Sequence, residues 1–165
     1  MIIAIVGATG VLGRNLIPLL YKEGMQVRAL ARSVAKIKML FGSSVEAVEA
    51  DLLQPGIEQA LGDILKGCDA VIHIATAIPA DPKNQEGWTL TARLRTEGAR
   101  TLITAAQAAG VGFYLQQSIE LAYPDRGDQW IDEQTPLDAS PERAACDHRG
   151  NHPEGFQWRP LGEPS

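Results

Sequence analysis

The chain of 165 residues is 45% hydrophobic and 21% charged, with 15 basic against 20 acidic side chains and a formal net charge of −5, the proportions of one folded globular domain. That balance, with no cluster of Lys and Arg, excludes nucleic acid as an expected partner, and the longest apolar runs fall far short of the ~18–20 residues that cross a bilayer. Without a basic leader ahead of an apolar stretch, and with Cys68 and Cys146 lacking any metal-ligand spacing, the expectation is a cytoplasmic chain with free thiols, no metal site and no membrane contact.

Apolar runs alternate with helical patterns over the first two thirds. Residues 2–6, five apolar side chains ended by a glycine, read as a buried strand. In 11–22, Leu12, Leu16, Leu19 and Leu20 recur at helical spacing. A strand is expected at 27–31, a short helix at 34–41, a strand at 45–48, a helix at 57–65, a strand at 70–75, a long helix at 89–109 and a fifth strand at 113–117. Strands joined through helices make right-handed crossovers, so the expected fold is α/β with a doubly wound parallel sheet of about five strands. Near-continuous apolar strands such as Ala70-Val71-Ile72 fit a sheet covered on both faces.

After Tyr123 the pattern stops. From Pro124 onward the only branched aliphatic residues are Ile131, Leu137 and Leu161, and six of the ten prolines lie there, too little apolar surface to offset the ordering of a packed layer. The expectation is a domain over 1–123 and an irregular, Pro-rich segment over 124–165, with at most a short helix about 141–146. His148 and His152 lie in that segment, and His73, in a strand, reads as a satisfied core residue. Trp88 and Trp130 flank the expected cleft, with packing the favoured use of both.

The densest motif is Gly7-Ala8-Thr9-Gly10-Val11-Leu12-Gly13, between the first strand and the first helix. In that setting Gly7 permits the tight turn, Gly10 admits a pyrophosphate against the backbone, and Gly13 lets helix and strand pack closely. The helix start, Val11 and Leu12 included, presents N–H groups and a positive dipole end to phosphates. The plainer reading is a glycine turn without a ligand; Thr9 serves either as a phosphate contact or as a helix cap. The fold is thus expected to be Rossmann-like and dinucleotide-binding.

At the end of the second strand, where an acidic residue would hold the ribose hydroxyls of NAD, the chain has Ala31-Arg32-Ser33 and no acid from Gln26 to Ala35. Arg32, with Ser33 beside it, suits a 2′-phosphate, so NADP is the expected cofactor with NAD the second choice. The alternative is a solvated surface arginine.

These residues resemble the short-chain dehydrogenase/reductase superfamily, in its extended and atypical, epimerase/dehydratase-like branch. Besides the glycine turn, the resemblance rests on Asp51-Leu52, on the strand Ala70-Val71-Ile72-His73-Ile74-Ala75, on Glu97-Gly98-Ala99-Arg100-Thr101-Leu102, and on Gln117-Ser118-Ile119. It implies that Asp51, with Leu52, meets the adenine, that Ala75, Thr76 and Ala77 line the ribose side of the cofactor, and that Ser118 bonds a substrate carbonyl or hydroxyl. Asp51 as a helix cap and Ser118 as an ordinary polar strand end are the competing readings.

The sequence also departs from that family. Its Tyr and following Lys, in which the cation draws the tyrosine pKa toward neutrality, have no counterpart in 141–146; Tyr123 is the only tyrosine after Ser118, and no lysine follows Lys83. Arg95 stands where the family has an asparagine. The unmatched end is consistent with a truncation or a shifted reading frame. Three readings follow: an NADP-linked oxidoreductase or epimerase/dehydratase acting on a small molecule, with Ser118 and Tyr123 the catalytic candidates; a non-catalytic NADP(H)-binding sensor; or an inactive shortened product.

Overall fold

The computed structural model describes residues 1–81, 83–118, 123–132 and 134–136. Five strands, β1 (Ile2–Val6), β2 (Gln26–Ala31), β3 (Glu46–Glu49), β4 (Ala70–His73) and β5 (Phe113–Gln116), form one parallel sheet in the order β3-β2-β1-β4-β5. Between them run α1 (Val11–Lys22), α2 (Val34–Phe41), α3 (Ile57–Leu65), α4 (Gln85–Arg93) and α5 (Ala99–Ala108), the last two joined by a π-helical turn over Leu94–Gly98.

The pleat of β1 divides the core. Ile3 and Ile5 pack with Val27 and Ala29 of β2 beneath Ile17 of α1 and Ile37 of α2. Ala4 and Val6 face the other way, with Leu30, Val71 and Tyr114, onto Leu61 and Leu65 of α3 and Leu102 and Ala106 of α5. Helices therefore cover both faces, and the central strand β1 is apolar throughout because neither side meets water. The doubly wound α/β expectation holds.

Several boundaries differ from the sequence reading, β2 and β5 by one residue each and three others with a clear cause. β3 begins at Glu46, its register running from Arg28↔Glu46 to Ala31↔Glu49, while Val45 is buried just outside the ladder. β4 stops at His73 because the chain is deflected there past Gly7, although the Ile74 N–H still reaches the Val6 carbonyl at 2.9 Å. The long helix starts at Gln85, where the Asn84 side chain accepts from the Gly87 N–H at 3.0 Å; a polar first turn gave no apolar period to read. The described residues from 123 to 136 hold turns only, and the helix expected about 141–146 lies outside the described residues.

Arg28 ties the amino-terminal end of the sheet. Its Nε pairs with Glu46 Oε2 at 2.7 Å, and Nη1 donates to the Ile64 carbonyl, to the Lys66 carbonyl at 3.1 Å and to Cys68 Sγ at 3.3 Å. The side chain is mostly out of water, so removing the fork strands two carbonyls. Arg28→Met is expected to lower the unfolding free energy by about 2 kcal/mol, read by urea denaturation; an unchanged midpoint would show that the fork adds nothing.

Candidate functional site

The crossover from β1 leads to β2 on one side, and β4 lies on the other. Their carboxyl ends thus part at a topological switch point, where open α/β sheets form a ligand crevice. Gly7 closes β1 there. Its φ is +95°, and a Cβ would lie 2.6 Å from the Ala75 backbone nitrogen, so the chains leaving β1 and β4 touch backbone to backbone. A Cβ on Gly13 would lie 2.3 Å from the Ala8 carbonyl oxygen, which seats α1 directly on the turn.

Gly10 differs from both. A Cβ there would meet only the Gly7 carbonyl, at 3.2 Å, and otherwise open space. Gly10 is also the N-cap of α1, without a side-chain hydrogen bond, so Thr9 does not cap the helix. Val11 and Leu12, 69% and 48% exposed, flank it. Backbone N–H donors with a dipole behind them and apolar shoulders beside them fit a dinucleotide pyrophosphate.

Arg32, just past β2, is exposed and has no carboxylate partner among the described residues. The Ser33 hydroxyl caps α2 by accepting from the Lys36 N–H at 3.2 Å, so a second helix start opens beside Arg32. After β3, Asp51 Oδ1 accepts from the Leu53 N–H at 3.0 Å and closes a turn. It caps no helix, because α3 begins on Gly56. Leu52 is buried beside it. Ala75 and Ala77 are half-buried and Thr76 exposed, in the segment leaving β4.

The Gln117 N–H bonds the His73 carbonyl at 3.0 Å, carrying the β4–β5 pairing past its last register pair and delivering exposed Ser118 to the carboxyl edge of the sheet. Tyr123 is half-buried, and the stretch 119–122 joining it to Ser118 lies outside the described residues. Trp88 is half-buried, whereas Trp130 is 97% exposed and does not pack, contrary to expectation.

A buried polar chain at the same end of the sheet escaped the sequence reading. His73 Nδ1 lies 3.1 Å from the Tyr114 hydroxyl, which donates to Gln116 Oε1 at 2.9 Å, and Gln116 Nε2 donates to the Arg95 carbonyl at 3.5 Å. Because the Tyr114 proton goes to Gln116, His73 donates from Nδ1. Burial raises the Tyr114 pKa far above its ordinary value, so the unfolded chain loses that proton first and stability declines as pH rises past about 10. Tyr114→Phe is expected to cost about 1–3 kcal/mol at neutral pH by stranding its buried partners and to shallow the alkaline decline; urea midpoints across the pH series read both effects.

The family model described as NAD(P)H-binding matches residues 7–148. The chain is 37% identical over 123 residues to a ceramide reductase of Caulobacter vibrioides, covering 74% of this chain and 36% of that protein. It is 32% identical over 119 residues to the photosystem II assembly factor Ycf39 of Cyanophora paradoxa, covering 72% of this chain and 34% of the other. It thus spans only about a third of the length of either relative. A UDP-glucose-4-epimerase from Stenotrophomonas maltophila, solved with bound NAD and formylated UDP-arabinopyranose, superposes with a TM-score of 0.72 at 18% identity over 88% of this chain and 45% of that one, a likeness of fold. Among the described residues no helix is long and apolar enough to cross a membrane. With its glycine turn at the sheet switch point and most of its length matched by the family model, the chain belongs to the NAD(P)H-binding family.

Proposed function

We propose that this chain is the dinucleotide-binding part of an NADP(H)-dependent oxidoreductase or epimerase/dehydratase acting on a small molecule. The observation that carries the reading is the pairing of an uncapped helix start at Gly10 with exposed Arg32 beside a second helix start at Ser33. Gly7, Thr9, Gly10, Val11, Leu12 and Gly13 form the pyrophosphate turn in this reading. Arg32 and Ser33 take the 2′-phosphate, Asp51 and Leu52 meet the adenine, and Ala75, Thr76 and Ala77 border the ribose. Free, buried Cys68 fits a reducing, cytoplasmic setting.

When bound, the nicotinamide supplies or accepts a hydride. The protein's share is to hold the substrate at the carboxyl edge of β5, where the Ser118 hydroxyl donates to a carbonyl oxygen and steadies the charge gathered there. The Tyr123 hydroxyl is the proton source nearest in sequence. A second reading, a binding module without turnover, is favoured by residues 141–146, which hold neither a tyrosine nor the following lysine that would draw its pKa down.

Calorimetric titration of the full chain with NADPH tests both readings. A dissociation constant of about 1 μM, or ~8 kcal/mol, is the expected scale; no heat at millimolar NADPH would sink them together. Oxidation of bound NADPH by a panel of ketones and aldehydes then separates enzyme from sensor.

A further inference from the structure

Arg95 is a cation that the dinucleotide reading does not use. It is 4% exposed, and its Nε and Nη2 have no hydrogen-bond partner. One turn earlier, the buried Thr91 hydroxyl has none either. A guanidinium withdrawn from water with empty donors costs several kcal/mol, and that cost is removed when an anion fills them.

Arg95 is held in place by its surroundings. Its carbonyl is held by Gln116, at the end of the His73–Tyr114–Gln116 chain. Three residues on, a Cβ at Gly98 would lie 3.2 Å from Leu52 Cβ, and near the start of α4 one at Gly87 would lie 2.7 Å from Pro79 Cβ. The π-helical turn is therefore clamped among the segments that leave β3, β4 and β5, at the carboxyl ends of the strands. Nε and Nη2 form one edge of the guanidinium plane, two parallel N–H groups spaced for the two oxygens of a carboxylate or a phosphate.

We infer that the Nε–Nη2 edge of Arg95, with the Thr91 hydroxyl one turn away, binds an oxyanion of a small molecule at the carboxyl end of the sheet. The anion is a carboxylate or a phosphate and has two sources: the pyrophosphate of a bound dinucleotide, or an acidic group on a second ligand. The inference rests on Arg95 itself, and it stands whether or not the glycine turn holds NADPH.

The test uses the full chain as wild type, Arg95→Met and Arg95→Lys. Melting temperature is followed against inorganic phosphate and malonate at matched ionic strength, with and without NADPH, and NADPH affinity is measured by calorimetry. A wild-type rise in melting temperature with either anion that both variants lose, whether or not NADPH is present, together with NADPH affinity kept within about twofold, assigns the oxyanion to a second ligand. A loss of about tenfold or more in NADPH affinity in Arg95→Met, with the anion response of the wild type cancelled by NADPH, assigns it to the dinucleotide. Variants that match the wild type toward phosphate, malonate and NADPH alike overturn the inference. Should Arg95→Met fail to fold, amide exchange of the wild type decides the matter: slowing over residues 94–98 with anion or NADPH supports the site, and no slowing refutes it. Failure of NADPH to bind the wild type removes the cofactor reading but leaves the phosphate and malonate result to judge Arg95.

Discussion

Gly10→Ala is expected to weaken NADPH binding by about a hundredfold or more while leaving the fold intact, whereas Gly7→Ala and Gly13→Ala are expected to damage the fold itself. The difference lies in what each added methyl meets. At Gly13 it would sit 2.3 Å from the Ala8 carbonyl oxygen, and at Gly7 2.6 Å from the Ala75 nitrogen on a backbone already at positive φ. Backbone on both sides cannot yield as a flexible side chain does, so each substitution is expected to cost about 3 kcal/mol or more. At Gly10 the backbone is extended, with φ −76° and ψ 178°, a conformation open to alanine. The stability cost there is about 1 kcal/mol or less, the difference between Gly and Ala at an N-cap. The methyl instead occupies the face a pyrophosphate must approach, and affinity is expected to fall by about a hundredfold or more. Urea denaturation beside calorimetric titration separates the two outcomes. Equal NADPH binding by Gly10→Ala and wild type would remove the glycine turn from the cofactor site.

Arg32→Glu is expected to reverse cofactor preference. In the proposed site the guanidinium and the start of α2 at Ser33 would receive a 2′-phosphate, and no acid lies between Gln26 and Ala35. A charge-assisted pair of this kind is worth about 1.5–3 kcal/mol, or roughly tenfold to a hundredfold in affinity. Arg32→Glu should weaken NADPH by at least that factor, because it also introduces repulsion, while NADH is retained or improved as the carboxylate accepts the ribose hydroxyls. Parallel titrations with NADPH and NADH at two salt concentrations check it. A wild type that binds both cofactors equally would mark Arg32 as a solvated surface charge.

Much of the sheet was legible because its elements announce themselves locally. Five apolar residues ended by Gly7 fit a covered strand, and the apolar spacing of 11–22 marks a helix, although Ile17 is its buried side chain while Leu12 and Leu19 stay exposed. Ile2–Val6, Val11–Lys22, Val34–Phe41 and Ile57–Leu65 stand where the pattern placed them. The start of α4 was hidden because its first turn is polar and is set by the Asn84 cap. The π-helical turn was hidden because a single i→i+5 turn is rare and is set by packing, with no apolar period of its own. Packing is the expectation for Trp130 because aromatic residues usually bury their area, yet nothing among the described residues covers it.

The sequence by itself determined the class of the protein: an alternating β and α order, a glycine turn at the first strand end, and a basic residue where an acidic one would select NAD. Each of these is a short-range property, carried by neighbours along the chain and by the stereochemistry of single residues. Only the tertiary structure decided the strand order, the backbone contact of Gly7 with Ala75, and the burial of Arg95 over the end of β5. Those depend on segments far apart in the chain being packed together. An arginine in a helical pattern reads as solvated until the layers above and below it are in place.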